Sequence, residues 1–368
     1  MAHRRLRRIG LGDNRGSALI MGAVAIVALF SFAVLAIDAT MLMTTKNQLQ
    51  AAADAAALAG ATGLIEGSQT TAIDRAIRFA SFNGAVQDIR RPVIITAADV
   101  SFPEADVIRV RTHRTAATGD ALRTHFMRIV DPGSDNLTDI SAVAAARIYQ
   151  VCGSDCIKPW AIPDRWDDVN GNGTMEVGET YDPDVTGYQA PGDVGASVIL
   201  KVGNPQQTMA SGQFYPINLP PLDCDCGEDP ETGGAQYRWN IANCNRFTVE
   251  TGDRLQLEPG NMVGPTRQGM EELINADPAA YWSDSENTVK GSGFGLSPRI
   301  ALVPFFDPTI PPNSGRNWVR VVKIGAFFLE SVGPGSEVRG RFIKVTIAGE
   351  PCAGGSGNSF INGITLVE

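Results

Sequence analysis

The residues best suited to chemistry lie in one twelve-residue run, DVNGNGTMEVGE, from Asp168 to Glu179. Side-chain oxygens recur at alternate positions, Asp168, Asn170 and Asn172, ahead of a turn glycine, Gly173. Thr174 then offers its backbone carbonyl, Glu176 stands where a bridging water would be held, and Glu179 can bind through both carboxylate oxygens. Calcium takes six to eight oxygens at about 2.3–2.6 Å, and alternation around a tight glycine turn delivers them to one point. The register therefore predicts a Ca2+ loop, with an empty polar turn as the plainer alternative. Pro159 and Pro163 stand where an entering helix would be, so the loop is expected to be isolated and the ion structural.

Six cysteines, Cys152, Cys156, Cys224, Cys226, Cys244 and Cys352, form the second group. An even number in an exported body reads as up to three disulfides, whose pairing the sequence leaves open. Zinc is the alternative, but the Cys-x3-Cys and Cys-x-Cys spacings lack the Cys-x2-Cys or His partners of ordinary zinc modules. Other motifs fail residue by residue. Gly264 to Gly269 has the outer glycines of a phosphate loop, yet Met270 and Glu271 replace the required Lys and Ser/Thr, so no nucleotide is expected. Gly291, Gly293 and Gly295 lack the strand and helix that a dinucleotide site needs. No Ser/His/Asp grouping, nucleophile elbow or paired-histidine helix occurs, and the chain reads as non-enzymatic.

The elements that carry these residues begin with an unusual helix. From Ala18 to Ile37 the chain is uncharged and mostly apolar, long enough to cross a bilayer, and it continues without Pro into an alanine-rich stretch ending near Ala61. A basic tail, with Arg4, Arg5, Arg7, Arg8 and Arg15, precedes it, whereas the whole chain carries a net charge of -9. That asymmetry suits a cytoplasmic tail and an exported acidic body, and does not suggest nucleic acid. A cleavable signal with small residues at Val34 and Ala36 competes with the retained anchor, but the apolar run exceeds the usual signal core and the helical pattern continues beyond it. Asp38, at the end of the run, reads as an interfacial residue at the outer membrane boundary. Past it, Leu42, Leu49, Ala53, Ala56 and Gly60 share one helical face of mostly small residues, suited to close packing against a partner helix or sheet.

The rest divides by composition. A helix is expected from Thr70 to Asn83 with Ile73, Ile77 and Ala80 on one side and Gly84 as a stop. Strands follow in PVIITAADVSF and DVIRVRTHR, then a helix from Asp120 to Val130 and a strand from Ile140 to Tyr149. From Val151 onward, Gly, Pro, Asn and Asp separate short apolar runs, SVILKV, RIALVPFF, VRVVKIGAFFLE and FIKVTIA, with one helix from Thr266 to Asn275. The expected fold is α+β: a basic tail (1–15), a transmembrane and stalk helix (16–66), a pilin-like α+β unit (67–150), and a mostly β, loop-rich exported domain (151–368).

Arg15-Gly16, the span, Asp38 and the run LQAAADAAALAGA from Leu49 to Ala61 resemble the N-terminal segment of TadE/TadG-like Flp (Tad) pilus assembly proteins. The C-terminal words KPWAIPD and EPGNMVGPTRQG resemble the extension of larger TadG-like members. The resemblance implies a bacterial inner-membrane protein with one span, a cytoplasmic N-terminus and a periplasmic or surface domain, meeting other pilus assembly components through its N-terminal helix. A membrane-tethered, calcium-stabilised adhesin or carbohydrate-binding module is the alternative function. Prepilins of the type IV class carry Glu five residues after the cleaved Gly; Met21 stands there if Gly16 is that glycine, so polymerisation into a filament is not expected. The Asp-x-Ser-x-Ser metal motif of von Willebrand type A domains, found in some TadG-like proteins, is absent.

Overall fold

The computed structural model describes residues 15–83, 92–125, 133, 135–203, 215–219, 233–258, 260–312, 317–352 and 359–367. The chain is α+β and forms two compact units, residues 1–147 with 366–368, and residues 148–365.

The first unit is built on α1 (Arg15–Ile65), 51 residues in one helix. Its apolar side chains from Leu19 to Ile37 are largely uncovered, whereas from Asp38 onward one face is buried. The chain reverses at Gly67, where φ is +75°, and Ser68 caps α2 (Gln69–Phe82) by accepting the Thr71 N–H at 3.1 Å. The helices pack antiparallel through glycine and alanine. A Cβ on Gly60 would meet Ala72 O at 3.1 Å, and one on Gly63 would stand 2.4 Å from the Ala72 backbone N. Such proximity explains a departure from the expected face of α2. Ala72, Ala76 and Ala80 are its fully buried residues, and Ile73 and Ile77 flank the seam half-buried, because only a methyl group fits between the backbones.

Five strands begin in this unit: β1 (Val100–Glu104), β2 (Val107–Arg114), β3 (Leu122–Arg123), β4 (Leu137–Thr138) and β5 (Ile140–Ser154). β2 pairs antiparallel with β1 and with β5, with Val110 opposite Ala144. Alternation places Ile108, Val110 and Thr112 inside and Arg109 and Arg111 outside. The strand expected from Pro92 starts only at Val100, because Thr96 and Asp99 form a capping box over a 3-10 turn. The helix expected from Asp120 is absent at its start: Leu122–Arg123 pairs with Leu137–Thr138 after a turn whose Gly119 has φ +75°. Residues 126–130 of that expectation, Gly84, Cys224 and Cys226 lie outside the described residues.

The second unit is mostly β with long loops. Its strands are β6 (Ile162–Pro163), β7 (Ser197–Lys201), β8 (Ile217–Asn218), β9 (Val249–Glu250), β10 (Arg254–Leu257), β11 (Tyr281–Ser283), β12 (Thr288–Lys290), β13 (Ile300–Phe306), β14 (Trp318–Val332), β15 (Val338–Phe342), β16 (Val345–Thr346), β17 (Glu350–Pro351) and β18 (Ile361–Val367). The long β14 is the spine, antiparallel to β13, β15 and β10; β7 extends the sheet beyond β15 and β8 beyond β10. The end of β5 pairs with β9 and β17. Only Val345–Thr346 of FIKVTIA becomes a strand of its own.

Aromatic rings fill this core. Phe342 lies 4.6 Å from Phe327, 4.7 Å from Phe360 and 4.8 Å from Tyr188, centroid to centroid, each pair adding about 0.5–1.5 kcal/mol beyond its buried area. Gly325 makes room for them, since a Cβ there would come within 2.6 Å of the Phe305 ring. Two helices cover the sheet region: α3 (Gly234–Ala242), which the sequence pattern does not announce, and α4 (Val263–Ala276), which starts three residues before the expected Thr266. They meet where a Cβ on Gly269 would press within 2.8 Å of Ile241. Trp160 donates its indole N–H to the Tyr237 hydroxyl at 2.7 Å, tying α3 to the KPWAIPD segment.

Candidate functional site

The site with the clearest construction is the stretch of α1 that leaves the apolar run. α1 is the described helix long and apolar enough to cross a membrane. At about 1.5 Å per residue, Ala18 to Ile37 covers about 30 Å, the thickness of a bilayer's hydrocarbon core. Asp38, the next residue, is only 4% exposed. Its two carboxylate oxygens accept the backbone N–H of His125 at 2.8 and 3.0 Å. The residue read as a boundary marker is therefore a clamp between the helix and the segment following β3. Sequence reasoning missed this role, because its partner is a main-chain N–H 87 residues away.

Above Asp38 the helix packs on its own unit. Leu49, Ala53 and Ala56 have no exposed surface, Gly60 is buried and Leu42 half-buried; Thr45, Ala52, Ala57 and Ala61 widen the same face. Thr112 of β2 donates its hydroxyl to Leu49 O at 2.8 Å, and the Gln50 amide reaches Asp54 at 2.8 Å and Val143 O at 3.1 Å. The small-residue face is thus occupied by β2 and α2 of the same unit. Residues 16–63 of this helix match a family model, Tad, described as putative Flp pilus-assembly TadE/G-like. The likeness to that family lies in this helix. The matched span includes both the exposed apolar run and the buried seam. No curated protein and no solved structure matches the chain.

In the second unit, the Asp168 to Glu179 loop folds around its own oxygens. Asp168 accepts the N–H groups of Gly171, at 2.8 Å, and Gly173, at 2.9 Å. Asn170 and Asn172 each accept the N–H two residues on, at 2.9 and 2.7 Å, and each donates an amide N–H to Glu176 at 3.0 Å. Glu179 folds back to the Val169 N–H at 3.2 Å and receives the Trp166 indole N–H at 3.0 Å. Gly171 and Gly173, both at φ +71°, allow the turn. The side chains of the predicted ligand positions Asp168, Asn170, Asn172, Glu176 and Glu179 are thereby drawn into one hydrogen-bonded ring, with Thr174 in the same turn.

Four of the six cysteines are described, and they form two disulfides, Cys152–Cys352 and Cys156–Cys244. Cys156 and Cys244 lie beside Asp155 in an arrangement of metal-ligand type, but their sulfurs are bonded to each other, which removes the thiolates zinc would need.

Buried ionic groups brace the same unit, and the sequence pattern did not single them out. Lys323 meets the fully buried Asp164 carboxylate at 2.9 Å and donates to the carbonyls of Pro183 and Tyr188. Asp164 also accepts the Tyr181 hydroxyl and the Tyr188 N–H, so one pair pins the 181–188 loop to β14. Burial raises the Asp164 carboxyl above the ordinary aspartate range, while Lys323 and these hydrogen bonds pull the other way. Lys158 donates to Ile241 O at 2.5 Å and Asn243 O at 3.1 Å, capping the end of α3, and Lys201 donates to Asn261 and Ser336. Burial lowers both ammonium groups to about 8.

Proposed function

We propose that the chain is a non-enzymatic, TadG-like envelope protein that assembles or anchors a Flp/Tad pilus. α1 serves as a retained single span of the bacterial inner membrane, its basic N-terminus cytoplasmic and the two units on the far side. The observation that carries this reading is the coincidence of the Tad match, residues 16–63, with one unbroken helix that is apolar and uncovered up to Ile37 and docked from Asp38 onward. A helix fixed to its own unit by Asp38 and by close backbone contact is suited to attachment, and Met21 in place of Glu argues against a polymerising subunit. Because its own unit covers Leu49, Ala53 and Ala56, other pilus components would meet α1 along the exposed run from Leu19 to Ile37. The 168–179 loop is read as a structural Ca2+ site, held through Asp168, Asn170, Asn172, Glu176, Glu179 and the carbonyl of Thr174.

The test is capture of other Tad components from membranes by the tagged full chain. Replacing Ala18 to Ile37 by an equally long leucine span should abolish capture while circular dichroism stays unchanged. Capture that survives the replacement would overturn the proposed use of the span. Aspartates at Leu49, Ala53 or Ala56 would be a poor test, because they would unfold the first unit. Intact mass of the membrane-fraction protein decides retention: a chain beginning after Ala36 would overturn the anchor.

A further inference from the structure

Beside the first turns of α1 beyond the apolar run lies an open groove of about 580 Å3. Leu42, Met43 and Lys46 line it from the helix, Ile140 and Ser141 from the start of β5, and Asp139 from the residue between β4 and β5. Its height follows from the helix rise. With Ile37 at the hydrocarbon edge, Leu42 and Met43 stand about 8–9 Å higher, and the polar layer of one leaflet is about 5–8 Å thick. Lys46 is about 13 Å above Ile37, but a helical side chain leans toward the N-terminus and a lysine stem extends about 6 Å, which brings its ammonium down to headgroup level.

The exposure fits that placement. Met43 is 70% exposed, continuing the uncovered apolar surface of the span into this layer. Among the described residues no ion pair engages Lys46. Of the two nearby carboxylates, Asp38 is buried on the His125 N–H, while the exposed Asp139 accepts the Ala116 N–H at 2.8 Å through one oxygen and keeps its charge at the groove, so the groove offers one cation and one anion to a headgroup.

We infer that this groove seats a phospholipid of the surrounding bilayer, with its phosphate on Lys46 and its glycerol against Leu42 and Met43. The inference rests on the retained-anchor reading. The lipid's occupancy would fix the depth and rotation of the helix, adding to the Asp38 clamp a contact that only the membrane supplies.

The experiment uses the full chain in nanodiscs of phosphatidylcholine and phosphatidylglycerol, doped with a phosphatidylglycerol that carries a headgroup-proximal diazirine. Photocross-links mapped by mass spectrometry should fall on residues 42–47 and 139–141. They should drop about fivefold in Lys46→Glu and separately in Met43→Asn, both at exposed positions where folding is unaffected. Cross-links confined to residues 18–37, or equal yields in the wild type and both variants, would overturn the groove. So would a protein–protein cross-link between two copies at residues 42–47, which would make the occupant a second chain. A purified chain whose mass lacks the first 36 residues would instead overturn the anchor reading, and intact mass separates that failure from the others.

Discussion

Replacing Asp38 by Ala would remove the carboxylate that accepts the His125 N–H through both oxygens while leaving the surrounding helix intact. A hydrogen bond to a charged acceptor contributes about 1.5–3 kcal/mol, and here the loss also strands a donor whose acceptor is 4% exposed. The local opening that exposes this amide should therefore become roughly 10- to 150-fold more frequent. Native-state hydrogen exchange of the full chain in detergent reads this directly. Peptides covering His125 should lose protection by that factor, while peptides covering β14, in the other unit, should not change. Asp38→Asn keeps one oxygen acceptor without the charge and should fall between the two. If protection at His125 is the same in Asp38→Ala and in the wild type, the carboxylate is only a surface residue at the membrane boundary and the clamp does not exist.

Gly63→Ala should destabilise the first unit by about 1–3 kcal/mol despite the helix-propensity gain of about 1 kcal/mol, because the new Cβ meets backbone atoms of Ala72 at 2.4–2.5 Å; Gly22→Ala, with nothing within 4 Å and the same propensity gain, should not lower the melt. At 2 mM Ca2+ a site with a dissociation constant of 0.1–1 mM adds roughly 0.6–1.8 kcal/mol, so EDTA should lower the melting temperature of the second unit and shift Trp166 fluorescence, with both effects lost in Glu179→Gln. Joint replacement of Cys152 and Cys352 by Ser, which opens a closure of 200 residues, should destabilise the second unit by about 3–5 kcal/mol in chemical denaturation. Lys158 is lowered to about 8, below its unfolded value near 10.4, so the unfolded chain binds more protons between those values and the stability of the wild type should rise from pH 8 to pH 10 relative to Lys158→Met.

The long helix was legible because its signals are local: an unbroken apolar run without Pro, then alanines at helical spacing. What the alanine face packs against was not legible, since small residues suit a partner chain and the chain's own sheet equally well. The choice is made by Thr112 bonding Leu49 O and by Ala72 approaching Gly63, pairings set by tertiary proximity. Periodicity also failed at Leu122, where apolar spacing compatible with a helix was overridden by the turn at Gly119 and by pairing with Leu137. In the candidate loop the order of oxygens was fully readable from Asp168 to Glu179, whereas Trp166 as a partner of Glu179 was not. The buried braces were invisible for a related reason. Lys158, Lys201 and Lys323 look like ordinary surface lysines until the fold surrounds them with carbonyls and, for Lys323, with Asp164.

The two units resist deformation by different physical means, and the difference bears on function. The first has little apolar area to bury along its alanine seam, so its hydrophobic contribution at about 25 cal/mol per Å2 is modest. It gains rigidity from backbone approach, where a single methyl group at Gly63 has no room, and from the Asp38 clamp. Such a seam tolerates no sliding, because any register shift brings a larger side chain against backbone. The second unit has an aromatic core, two disulfides and buried lysines that close its loops on one spine strand, β14. On α1 the face from Leu49 to Ala61 is already filled by α2 and β2 of the same chain, whereas the apolar side chains from Leu19 to Ile37 are largely uncovered.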